Sequence, residues 1–237
     1  MKRRYLAFDL ETATRLPSDC PPWGTFGHVG ISCAATCACD SDEPRLWFGC
    51  GSRQRPASRM AESEVRRLVR YLATQVQRGY TILTWNGLGF DFRILAEESG
   101  LSRECCDLAV EHVDMMFHVL CRLGFGVALE SGAKGLGVGT KRAGVSGCLI
   151  PQLWKEGRHE EVLDYVANDA KLTLAVAEAC EKRGHFCWLT GSGRRRFLSL
   201  SNGWLVVRSA MKLPPTRNSP KSGVWSRSRF MAWLPTS

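Results

Sequence analysis

Along residues 4–11, Leu6, Phe8 and Leu10 fall on one side of an extended chain, and Tyr5, Ala7, Asp9 and Glu11 on the other. That period of two reads as a strand from Arg4 to Glu11. Thr12 to Gly27, with Pro17, Pro21 and Pro22, reads as a loop. His28 to Cys39 and Arg45 to Cys50 are the next strands, followed by a polar, basic loop over 51–60. Glu62 to Arg78 changes period: Val65, Leu68, Val69, Leu72 and Val76 make a helical stripe, stopped by Gly79. Thr81 to Trp85 is a short apolar run without alternation, as expected of a central strand. A turn rich in glycine (Asn86-Gly87-Leu88-Gly89) leads to a helix starting near Asp91. Residues 105–123 read as helix, 124–147 as a long glycine-rich loop carrying Lys134, Lys141 and Arg142, and Glu160 to Arg183 as a long helix with acids in its first turn and Lys182, Arg183 and Gly184 at its end. Three successive strands followed by alternation predict an α/β fold, a mixed sheet with helices packed on it. Beyond Gly184 the pattern weakens. Trp204 to Val207 reads as one more strand, and the Ser/Arg/Pro-rich end as a loop or arm.

The 237 residues are 44% hydrophobic and 23% charged, which excludes fibrous and wholly disordered classes. No apolar run approaches the ~18–20 residues that span a bilayer, and the apolar stretch behind Met1-Lys2-Arg3-Arg4 ends at Asp9, so a soluble, cytoplasmic protein with no membrane partner is expected. The net charge of +9 is uneven. Every acidic residue lies at or before Glu181, whereas residues 182–237 carry 11 Lys and Arg and no acid. A basic end on a near-neutral body points to a polyanion such as nucleic acid. The 11 cysteines show no Cys-x-x-Cys spacing; Cys33, Cys37 and Cys39 share one strand face and read as small core residues with free thiols. The five histidines, His159 among them, lack metal-ligand spacing, and Asp107 and Asp114 read as caps or surface acids, with support of a metal shell by one of them as the alternative. No serine-hydrolase elbow or phosphate-cradling glycine loop is present.

Three positions carry candidate chemistry. Asp9 and Glu11, two apart on a strand, put carboxylates ~6–7 Å apart on one face, where a divalent cation would relieve their repulsion. Asp91 opens a helix at the carboxyl end of a strand, flanked by Trp85, Leu88 and Phe90. Asp169 sits in the buried stripe of the long helix among Val162, Tyr165, Val166, Thr173, Val176 and Cys180, and no Lys or Arg shares that stripe. A buried carboxylate needs a partner, and Tyr165 lies one turn before it.

In this order, Asp9-x-Glu11, Asn86-x-x-x-Phe90-Asp91 and Tyr165-x-x-x-Asp169 resemble the three motifs of the DEDD superfamily of 3′→5′ exonucleases, tyrosine subclass, over about residues 4–182. The histidine subclass would need His at 164, where this chain has Asp164. The chain looks most similar to stand-alone relatives of the exonuclease domain of family-B DNA polymerases. The resemblance implies a ribonuclease-H-like mixed β-sheet flanked by helices over residues 1–184, with 185–237 as a basic, aromatic-containing extension. It implies two divalent cations, Mg²⁺ or Mn²⁺: Asp9 bridging them, Glu11 and Asp169 completing the first shell, Asp91 reaching the second, and Tyr165 orienting the attacking water. Leu10 (as a wedge), Thr12, Asn86 and Phe90 would contact the terminal nucleotide. The expected reaction is release of nucleoside 5′-monophosphates from single-stranded 3′ ends, DNA favoured over RNA. An exoribonuclease, an endonuclease and a catalytically idle nucleic-acid-binding module are the alternatives. Arg194, Arg195, Arg196, Arg208, Lys212, Arg217, Lys221, Arg227 and Arg229 would grip upstream phosphates, with Trp188, Trp204, Trp225 and Trp233 either stacking on bases or pinning the tail to the domain. Arg53, Arg55, Arg59, Arg66, Arg67 and Arg70 form a second basic group, read first as a solvated helix face.

Overall fold

The computed structural model describes residues 3–15, 28–51, 55–141, 147–216 and 225–235. Pro17, Pro21 and Pro22, and the basic candidates Arg53, Arg142, Arg217 and Lys221, lie outside the described residues.

Strands β1 (Arg4–Thr12), β2 (Ile31–Ala38), β3 (Arg45–Phe48), β4 (Tyr80–Thr84) and β5 (Val113–Asp114) form a mixed sheet in the order β3-β2-β1-β4-β5. β1 pairs antiparallel with β2 and parallel with β4, so β1 and β4 end on the same side of the sheet. The alternation along β1 is realised as expected. Leu6, Phe8 and Leu10 enter one core with α1 (Glu62–Gln77) and α2 (Asp91–Ser99); Tyr5 and Ala7 enter the other, beneath the helix His159–Arg183. Cys33 and Cys37 are buried on that second face, and every cysteine among the described residues is free. On α1 the expected stripe holds except at its end: Val76 is 39% exposed, and Gln75 is buried instead.

Two expectations need correction. Residues 105–123 are not one helix but α3 (Ser102–Glu111) and α4 (Met115–Leu123), separated by His112 and the two residues of β5. The break has a cause: Asp114 leaves helical geometry to cap α4, accepting from Phe117 N–H. The glycine-rich stretch 124–147 contains a helix, α5 (Leu129–Leu136). Its glycines serve close packing. A Cβ on Gly135 would lie 2.5 Å from the Trp188 backbone, so glycine lets α5 lie directly on the strand that follows the last long helix.

The chain continues through α6 (Ile150–Lys155) and α7 (His159–Arg183), which ends at Gly184 in the left-handed conformation. A hairpin follows, β6 (His185–Leu189) with β7 (Arg195–Ser199), then two short helices, α8 (Val207–Ala210) and α9 (Arg227–Met231). Trp204 to Val206 is not a strand; Trp204 is fully buried instead. Packing therefore continues beyond residue 184: Phe186, Trp204 and Phe230 are all core residues. No helix among the described residues is long and apolar enough to cross a membrane.

Candidate active site

Asp9 and Glu11 project from the end of β1 on the α7 face, opposite Ala35 and Cys33 of β2. The β1–β2 register slips between Glu11 and Thr12, an irregularity that re-aims the strand just past the acids.

Asp91 is placed by the turn after β4. Asn86 adopts φ 77°, and Gly87 passes so close to Thr84 that a Cβ there would meet Thr84 Oγ1 at 2.4 Å. The buried Asp114 carboxylate holds this turn, accepting from Asn86 N–H (3.0 Å) and Leu88 N–H (2.9 Å) besides capping α4. Burial pushes Asp114 up to about 6, against the pull of those backbone donors. A second chain of bonds braces the turn. His112 Nδ1 faces Ala109 O at 2.6 Å and so donates; burial lowers its pKa to about 3, leaving Nε2 an acceptor for the Thr84 hydroxyl at 3.0 Å. Thr84 Oγ1 in turn accepts from Gly87 N–H. Asp91 then begins α2, with the neighbouring Phe92 ring 6.0 Å from Phe8.

Tyr165 and Asp169 come from the buried stripe of α7, 3% and 4% exposed. Asp169 has a partner that its own helix lacks: Lys141 Nζ pairs with Asp169 Oδ2 and lies 3.4 Å from Tyr165 Oη. Asp169 Oδ1 is buried with no partner among the described residues.

The five residues meet. Asp9, Glu11, Asp91, Tyr165 and Asp169 line one cavity of about 490 Å³, together with Leu10, Thr12, Trp85, Phe90, Lys141 and Arg15. Burial raises Asp9 well above the usual carboxylate range, reinforced by repulsion from Asp91, Glu11 and Asp169. Glu11 is raised likewise by burial and Asp169, and Asp91 rises to about 7 by burial. Burial also raises Asp169, although Lys141 opposes it. The Tyr165 phenol is pushed to about 12 by burial and by Asp169. Among the described residues, four acids thus face two lining cations, Lys141 and Arg15. The donor set is all oxygen, short of positive charge and carries an orphaned carboxylate oxygen, which fits a divalent cation. Among the described residues no three His, Cys, Asp or Glu side chains stand ready around one ion position.

The substrate candidates divide. Thr12 and Phe90 line the cavity. Leu10 also borders it, but it is 2% exposed within the Phe8 core; a wedge would have to leave that core. Asn86 is not in the cavity lining. Arg194, Arg195 and Arg196 are exposed on the hairpin, outside the cavity wall, beside Phe197, which is 61% exposed. Arg208 is bound to Glu111, and Arg227 to the carbonyls of Leu213, Cys121 and Pro214, so both are occupied within the fold. Trp188 and Trp204 are buried and Trp233 donates to Leu88 O at 2.7 Å, which pins the end of the chain to the second motif; Trp225 is 37% exposed. Arg66 and Arg67 pair with Glu62 and Glu64 along α1, the pattern of a solvated helix face. His159 packs its ring against Trp154, and Asp107 is exposed. Lys141 was not among the expected site residues; Asp114 caps α4 as expected and also holds the turn before Asp91.

The sequence pattern of the RNase_H superfamily (RNase_H_2) matches residues 47–179, more than half of the chain. That stretch includes Asp91, Lys141, Tyr165 and Asp169 and starts after Asp9 and Glu11. Among solved structures, the family B DNA polymerase from the hyperthermophilic archaeon Pyrobaculum calidifontis superposes with a TM-score of 0.54 at 17% identity, over 76% of this chain. The chain spans a quarter of that polymerase's length. No curated protein sequence matches.

Proposed function

This chain belongs to the ribonuclease H superfamily, and from that premise we propose that it is a metal-dependent 3′→5′ exonuclease acting on single-stranded ends, DNA favoured over RNA. One observation carries the reading: acids from β1, α2 and α7 converge with a tyrosine on a single cavity. Asp9, Glu11 and Asp169 would hold one cation, Mg²⁺ or Mn²⁺, and Asp91 would serve a second. Such ions, when bound, lower the pKa of water and neutralise charge on the leaving oxygen.

The chain's own residues then have separable tasks. Tyr165 keeps its proton, so it orients the attacking water by hydrogen bonding and does not act as a base. Attack at the terminal phosphodiester releases a nucleoside 5′-monophosphate and leaves the proton on the 3′-oxygen of the shortened strand. Thr12 and Phe90 flank the place of the terminal nucleotide. The hairpin adjoins the cavity wall: Trp85 lies 5.8 Å from Phe186, which stacks at 5.6 Å on Trp188, the register partner of Arg196. Arg194, Arg195 and Arg196 would take upstream phosphates, and the exposed Phe197 would stack on a base.

The test uses 5′-labelled DNA and RNA oligonucleotides, single- and double-stranded, with Mn²⁺. A ladder shortening from the 3′ end, abolished by chelator and by Asp9→Ala, is expected. Cleavage of RNA alone would make it an exoribonuclease, cleavage of circular single strands an endonuclease, and binding without cleavage an idle module.

A further inference from the structure

Lys141 lies outside all three sequence motifs, yet it contacts two residues of the third inside the acidic cavity. Its ammonium pairs with Asp169 Oδ2, lies 3.4 Å from Tyr165 Oη and stands 5.4 Å from the centre of the Tyr165 ring. It lines the same cavity as Asp9 and Glu11 of β1. The remaining lining cation, Arg15, is exposed.

Asp169 is only half satisfied by this contact, because its Oδ1 is buried without a partner among the described residues. A buried carboxylate cannot stay ionised beside other acids unless a cation attends it. Lysine meets that need in a particular way. It brings a single charge on a flexible four-carbon stem, and it binds as a point charge without a fixed fork. A divalent ion with oxygen ligands brings twice the charge to the same oxygens and engages the orphaned one as well. The two cations compete for Asp169.

We propose that Lys141 is the resident counter-ion of the cluster: in the metal-free chain it holds Asp169 and Tyr165 in position, and it yields Asp169 to a divalent cation when one binds. The proposal rests on the metal-dependent reading above. It makes metal uptake an exchange of cations on a prearranged carboxylate and assigns Lys141 a positioning role. Linkage fixes the signs. If Lys141 stabilises only the metal-free form, its removal destabilises that form, leaves the loaded form unchanged, and tightens metal binding by the same free energy.

The experiment compares wild type, Lys141→Met and Lys141→Arg at pH 8 without nucleic acid, by thermal unfolding in chelator and in saturating Mn²⁺ and by calorimetric titration with Mn²⁺. Lys141→Gln replaces the Met variant should that one fail to fold. In chelator the Met variant is expected to unfold about 2–4 °C or more below wild type, and Mn²⁺ should close the gap. Its Mn²⁺ affinity should rise about fivefold or more, whereas Lys141→Arg, which keeps a cation, should stay near wild type. A gap that persists in Mn²⁺, or affinity equal to or weaker than wild type, would overturn the exchange while leaving the nuclease reading intact. No heat of Mn²⁺ binding to either protein would overturn both.

Discussion

Asp91 Oδ1 accepts a hydrogen bond from the backbone N–H of Leu10 at 3.0 Å. The acid of the second motif is thereby tied to the strand residue lying between the two acids of the first. Since Leu10 points its side chain into the opposite core, its N–H is held rigidly, and Asp91 inherits that rigidity.

This bond lowers the Asp91 pKa, but burial outweighs it and raises the group to about 7. A raised carboxyl contributes stability that is fully present below its unfolded value near 4 and is lost as pH rises through about 7. In chelator, Asp91→Asn should therefore become more stable than wild type as pH climbs from 4 to 8, by roughly 1–3 kcal/mol. Denaturant titrations across that range check it. A difference that does not change with pH would show that Asp91 is not held in its buried, raised state.

Removing the acids should separate stability from chemistry. Asp9→Asn and Asp169→Asn are expected to lower the exonuclease rate by about 10²–10³-fold or more, as when a preorganised electrostatic group is removed from a reaction centre. Asp9→Asn should keep the fold, because it removes charge from a crowded cluster, whereas Asp169→Asn also takes the partner from Lys141 and should lower stability in chelator. Single-turnover rates with circular dichroism as the folding control test this. Retention of wild-type rate by Asp9→Asn would exclude it from the reacting centre.

Tyr165→Phe isolates orientation of the water. The rate constant should fall about 10²-fold with little change in KM, in keeping with loss of positioning. Because the phenol is raised to about 12, no limb of the wild-type pH–rate profile below pH 9 should belong to Tyr165. A limb near 9 that vanishes in the Phe variant would mean that the tyrosine transfers a proton.

Asp114 does no chemistry in this scheme, yet three backbone N–H groups depend on it. Asp114→Ala leaves them without their acceptor and should cost roughly 2–4 kcal/mol, since each buried donor left unpaired costs about 1–3 kcal/mol and relaxation recovers part of it. Asp114→Asn, which keeps one acceptor oxygen, should cost less. Thermal unfolding in chelator ranks the two variants; equal stability of Ala and wild type would show that the turn after β4 holds itself.

On the hairpin, Arg194→Ala, Arg195→Ala and Arg196→Ala should each weaken binding of a single-stranded oligonucleotide across sequences. Each variant that loses a phosphate contact should lower the slope of log affinity against log salt by about 0.7, the single-strand value. Anisotropy in chelator measures this without cleavage. Unchanged slopes in all three would remove the hairpin from the substrate path.

Much of this site is legible in one dimension because its supports are periodic. The period of two on β1 already separates Asp9 and Glu11 from Leu6, Phe8 and Leu10, and the structure keeps that division. The 3.6-residue stripe of α7 already buries Tyr165 and Asp169 side by side. The long loop was less legible: glycines that suggest flexibility instead let α5 approach β6, and only the packing partner reveals it. The break between α3 and α4 was hidden for a similar reason. Asp114 ends one element and caps the next while serving a turn some 26 residues earlier, and that bond has no local signature.

The order of the motifs, the faces they occupy and the uneven charge were settled by the sequence alone, since strand and helix periods are properties of neighbouring residues. The tertiary structure decided what those faces meet. It brought Lys141 onto Asp169, seated the turn after β4 on Asp114 and used Arg208 and Arg227 inside the fold. Pairings between residues far apart in the chain depend on which elements pack together, and a charge or an N–H does not carry the address of its partner until they do.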